Sequence, residues 1–176
     1  MNNLSKKELG SFFAGLLGGG LVALLLLGSK PTVIPGVVFY EVTDRTHVEA
    51  TVEYPQVPPV GGAHNPQWLS CNGDVYDTPV INENAVHSLE HGAVWITYRE
   101  DVPEADKEVL KQKVAGYTFM SPYSEQSGKI MLTAWGAQLT VEDVLDERIN
   151  QFLAEYRQGK QTPEPGATCS VLPTSL

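Results

Sequence analysis

The residues best able to do chemistry are four histidines, and all of them lie between positions 47 and 91 of the 176-residue chain. Histidine is the commonest metal ligand in proteins. Glu83, His87 and His91 are spaced i, i+4, i+8, so on a helix they share one face, and two imidazoles one turn apart can bind one ion. His64 sits in the run from Pro55 to Trp68, whose Pro55, Pro58, Pro59, Pro66, Gly61 and Gly62 exclude regular structure. A long irregular loop in a compact domain usually serves function. Taken singly, each histidine has a plain structural use: His91 at a helix C-terminus, His64 packed on Trp68. Taken as a set, His64, His87 and His91 are expected to converge on one ion, with His47 as a fourth ligand. Met120, in Met120-Ser121-Pro122-Tyr123, is a softer candidate. Imidazoles with a carboxylate suit zinc, and imidazoles with a thioether suit copper. Glu83 or Glu90 would then orient a ring nitrogen from behind.

Two other functions compete with this metal-binding domain. His87-Ser88-Leu89-Glu90-His91 matches the H-x-x-E-H pattern of inverted zinc peptidases, with Glu90 as general base. That motif needs a long helix and a distant acidic ligand, whereas Gly92 ends this helix at once. The other is a non-catalytic accessory or scaffold protein with structural histidines. No Gly-rich loop is placed to cradle phosphate, and no serine sits on a nucleophile elbow.

The histidines need elements to hold them. Asn82 is expected to cap a short helix that Gly92 closes in a left-handed conformation. Ala93 to Tyr98 then reads as a buried strand. His47 to Tyr54 alternates apolar and polar residues and reads as another strand. Val37 to Tyr40 is a brief apolar run, and Cys71 to Pro79 is turn-rich. Pro103 starts a helix to about Ala115, with Ala105, Val109 and Val114 on its apolar side. Lys129 to Trp135 reads as a strand. Thr140 is expected to cap a last helix whose stripe is Val141, Val144, Leu145, Ile149, Phe152, Leu153 and Tyr156. The fold class is α+β: a small mixed sheet of three to four strands packed by two to three helices, plus one N-terminal transmembrane helix.

That last element follows from Gly10 to Gly28, 19 residues without a charge. As a helix it would span roughly 28 Å, close to the apolar thickness of a bilayer. Lys6 and Lys7 precede it and favour a cytoplasmic N-terminus. The stretch is long for a signal peptide and lacks a clean small-x-small cleavage site. The expected organisation is a cytoplasmic N-terminus at 1–9, an anchor at 10–28, a linker at 29–36, an extracytoplasmic domain at 37–170 and a tail at 171–176. The expected location is the cell membrane, single-pass, with the domain outside. Disulfides persist there, so Cys71 and Cys169, the two cysteines of the chain, are expected to pair.

Charge narrows the partners. Of 12 basic residues, Lys6, Lys7 and Lys30 precede Pro31, as does Glu8 among 21 acidic ones; 9 basic and 20 acidic residues remain, a net charge of -11. Such a surface opposes nucleic acid and anionic lipid headgroups. The sequence names no protein partner.

The runs His47-Val48-Glu49, Pro58 to Trp68, Cys71-Asn72-Gly73-Asp74-Val75-Tyr76 and Glu83 to Trp95 resemble a bacterial family, domain of unknown function 3105. Met120-Ser121-Pro122, Ala134-Trp135-Gly136 and Pro163 to Cys169 look like its later blocks. The resemblance covers roughly residues 35–170. It implies a membrane-anchored extracytoplasmic domain and carries no assigned activity.

Overall fold

Side-chain alternation along the strands decides the architecture. In a computed structural model, which describes residues 33–170, Val94, Ile96 and Tyr98 join one buried cluster while Trp95 joins another. Met120 and Phe119 divide in the same way. The sheet is therefore covered on both faces, and its middle strands carry near-continuous apolar runs instead of a polar face.

The elements, in chain order, are β1 (Val37–Phe39), β2 (Asn72–Val75), α1 (Asn82–Glu90), β3 (Val94–Tyr98), α2 (Glu104–Lys111), β4 (Thr118–Pro122), β5 (Ile130–Ala134), β6 (Ala137–Val141) and α3 (Glu147–Tyr156). The sheet is mixed and six-stranded, in the order β1-β6-β5-β3-β4-β2. β4 runs parallel to both β2 and β3, and the remaining pairs are antiparallel. Two crossovers build the parallel part. The one through α1 runs from β2 to β3, and the one through α2 runs back from β3 to β4. Parallel crossovers share one hand, so two that travel in opposite directions must lie on opposite faces. α1 packs Ala85, Val86 and Leu89 beside Trp95 and Phe119; Leu110 of α2 and Ile149, Phe152, Leu153 and Tyr156 of α3 pack on the other side.

The sheet thus has six strands, where three to four were expected. The omitted ones are β2, a polar edge, β4, which ends in Pro122, and β6, which returns from β5 through Trp135 and Gly136. Gly136 takes φ +67, which a side chain would strain. Thr140 lies inside β6 and caps nothing; Asp146 caps α3 by accepting from the Arg148 amide at 2.9 Å. Leu145 is exposed in the connection and is not part of the α3 stripe. α2 ends at Lys111, before Ala115. Ile81 occupies the α1 cap position, with no side-chain cap, and Asn82 is its first helical residue.

His47 to Tyr54 forms no strand. Its backbone makes a single bridge, His47 to His64. The alternation was real, since Val48, Val52 and Tyr54 are half-buried, but the segment lies along α1 and not along a neighbouring strand. Its Val52 amide donates to Glu83 Oε1 at 2.8 Å.

Cys71 and Cys169 are joined, with Cα atoms 4.8 Å apart and a sequence separation of 98. In the chain-entropy picture a loop of that length stabilises the fold by about 4–5 kcal/mol. No helix among the described residues is long and apolar enough to cross a membrane. The expected anchor at 10–28 lies outside the described residues.

Candidate metal centre

α1 supplies the rigid half of the site. Its last turn carries His87, Glu90 and, just beyond, His91, all buried. Gly92 then takes φ +90, and a side chain there would strike Gln158 and Thr162. That turn sends the chain directly into β3, so the last turn of α1 is held by the sheet beneath it.

Two loops supply the rest. The Thr46–Val48 segment pairs with His64: Val48 N donates to His64 O at 2.7 Å and His64 N to Thr46 O at 3.0 Å. This parallel bridge sets His47 and His64 side by side, with ring centroids 4.9 Å apart. Three residues before His64, Gly61 lets Val42 pack against the loop, because a Cβ there would lie 2.8 Å from it.

The rings gather tightly. His47 stacks on His87 at 4.9 Å between centroids, and His64 lies 4.8 Å from His87. One ligand atom each from His47, His64, His87 and Glu90 falls within 4.8 Å of the others. A tetrahedral ion with bonds of about 2.0–2.1 Å holds its ligands roughly 3.4 Å apart. A small side-chain rotation closes that gap, most readily at His47, which is exposed.

The proton positions suit metal binding. His64 Nδ1 faces Gly62 O at 2.8 Å and His87 Nδ1 faces Asn65 O at 2.7 Å. A carbonyl only accepts, so both Nδ1 atoms carry the proton and donate. In a neutral ring each Nε2 then presents a lone pair, the usual arrangement of a metal-bound histidine. Burial pushes His87 down from 6.5 to about 4 and also lowers His91, so His87 is neutral at pH 7.

One contact stands out. His64 is fully buried, and its Nε2 has no hydrogen-bond partner although Glu90 Oε2 lies 3.0 Å away. The carboxylate is close but lies off the line of a hydrogen bond. An uncompensated polar pair in a dry interior is costly. A cation between the two turns opposed lone pairs into two ligands.

The expected residues divide as follows. His47, His64 and His87 come together with Glu90. His91 stands beside them, 4.6 Å from His87 between centroids, but its Nδ1 donates to Thr168 O at 2.8 Å and its ring faces Trp68 at 5.0 Å. Met120 is not near the group: it is fully buried in β4, in the cluster on the opposite face of the sheet. Glu83 secures the Val52 amide and orients no ring. Glu90 stands among the imidazoles themselves, where the sequence reading set it behind a metal or made it a general base. Its i, i+3 relation to His87 was the available signal, since both lie on one helical face.

The chain matches no curated protein and no solved structure. A family model described as protein of unknown function (DUF3105) matches residues 47–171, from the first histidine of the cluster to just past the disulfide, and the chain belongs to that family.

Proposed function

We propose that this domain binds one transition-metal ion, zinc or copper, through His47, His64, His87 and Glu90. The observation that carries the reading is the buried His64 Nε2, which lacks a hydrogen bond and faces Glu90 Oε2 at 3.0 Å. Three imidazoles and a carboxylate suit zinc or oxidised copper. The absence of Met120 from the group removes the thioether that would favour reduced copper. Glu90 serves as a ligand in this arrangement, and that weighs against the hydrolase in which it is the general base. We further propose that residues 10–28 anchor the chain and that the domain lies outside the membrane; the Cys71–Cys169 disulfide supports an oxidising location.

The test is metal content of the full chain after purification without added metal, with His64→Ala and His87→Ala alongside. The expected outcome is one tightly held ion per chain in the parent and its loss in either variant. Metal-free parent protein that also takes up neither zinc nor copper on titration would refute the reading.

A further inference from the structure

His91 is the buried imidazole that the four-ligand group leaves over. Its residue exposure is 4%, and its Nδ1 is committed to Thr168 O. The other ring nitrogen, Nε2, lies 3.9 Å from Glu164 Oε2. That is too long for a hydrogen bond and is a spacing that an ion can bridge. The Glu164 carboxylate is 52% exposed, so this position opens to solvent.

The backbone of Glu164 is fixed in place beside α1. Glu164 N donates to Glu90 O at 3.1 Å, and Gly166 N donates to Gln158 Oε1 at 2.7 Å. Gln158 in turn grips α1 through the carbonyls of His91 and Gly92. The strap from Gln158 to Cys169 thus holds Glu164 over His91 by its backbone. Trp68 packs beside both histidines, with its ring centroid 5.0 Å from His91 and 5.5 Å from His87.

We infer that His91 and Glu164 form a second, solvent-facing position for a divalent transition-metal ion, adjoining the first and sharing none of its ligands. One imidazole, one carboxylate and water make a weaker site than three imidazoles and a carboxylate. The second ion is therefore the exchangeable one.

Calorimetric titration of the metal-stripped full chain with zinc alone tests this. The expected result is two equivalents of distinct affinity. Glu164→Gln and His91→Gln should each weaken the looser one at least tenfold and leave the tighter one in place; His64→Ala should do the reverse. Glu164 is a surface residue, so its variant decides the matter if His91→Gln fails to fold. A single equivalent in the parent, kept in Glu164→Gln and lost in His64→Ala, would overturn the second position and leave the first standing. Two unaltered equivalents in Glu164→Gln would do the same. If the sole equivalent were lost in Glu164→Gln and kept in His64→Ala, the second position would stand and the four-ligand reading would fall. No zinc uptake at all would overturn both.

Discussion

The two faces of the sheet are built on different principles. On one, α2 and α3 cover Val94, Ile96, Met120, Leu132 and Leu139 with Leu110, Ile149 and Phe152. The cluster there is apolar apart from the rings of Tyr98 and Tyr156. On the other, a single helix and two irregular loops cover Trp95 and Phe119 with a cystine and, close by, buried histidines and a buried glutamate. A face that buries imidazoles and a carboxylate gains less from water exclusion and loses more to desolvation. Its order must come from cross-links, backbone hydrogen bonds and, on the reading above, a bound ion. The first face is held by apolar packing, and the second by its cystine, its backbone hydrogen bonds and the packing of Trp95 and Phe119.

The comparison breaks most visibly at the disulfide. Replacing Cys71 and Cys169 with serine should lower stability by about 4–5 kcal/mol, read from urea unfolding, and weaken metal binding as well. Retention of full metal affinity would show that the second face orders itself. The apolar face gives the converse. Phe152→Ala should cost about 3–5 kcal/mol in the same assay yet leave the metal stoichiometry of the folded protein unchanged. A change in stoichiometry would mean the two faces are coupled through the sheet.

The smallest expected effect concerns acid. His87 sits at about 4 in the folded chain because burial disfavours its charged form, against 6.5 when unfolded. The unfolded chain therefore binds the proton first. This contribution to stability is complete above about 6.5 and is lost as the pH falls toward 4. With a chelator present, the urea midpoint should decline across that window, and His87→Gln should flatten the decline. An unchanged slope in the variant would place the acid sensitivity on another group, the buried His91 first among them.

Periodicity made α1, β3, β5 and the α3 stripe from Ile149 to Tyr156 legible, because their burial follows their own spacing. It failed where burial depends on partners far away. β4 reads as loop because Ser121-Pro122 looks like a turn, and only the two parallel neighbours it pairs with make it a strand. β2 is a polar edge strand, Asn72-Gly73-Asp74-Val75, with no apolar pattern to find. The stretch from His47 to Tyr54 had the right alternation and the wrong partner. At the site, the convergence of His64 with His87 was legible from a helix face and a steered loop. What the sequence could not show was which way His91 turns. That depends on the Thr168 carbonyl, 77 residues away.

The strap from Gln158 to Cys169 has a consequence for the order of assembly. His47, His64, His87 and Glu90 are all synthesised before β4, β5, β6 and α3. Yet the carbonyl that aims His91, the amide that holds the Glu90 carbonyl and the sulfur that locks Cys71 all arrive with this late segment. Contacts so distant in sequence form slowly, since a long loop must close before they gain anything. The end of α1 therefore stays untethered, and His91 unaimed, until the C-terminal strap is delivered. On the metal-binding reading, the position at His91 is the last to be completed, by Glu164 itself.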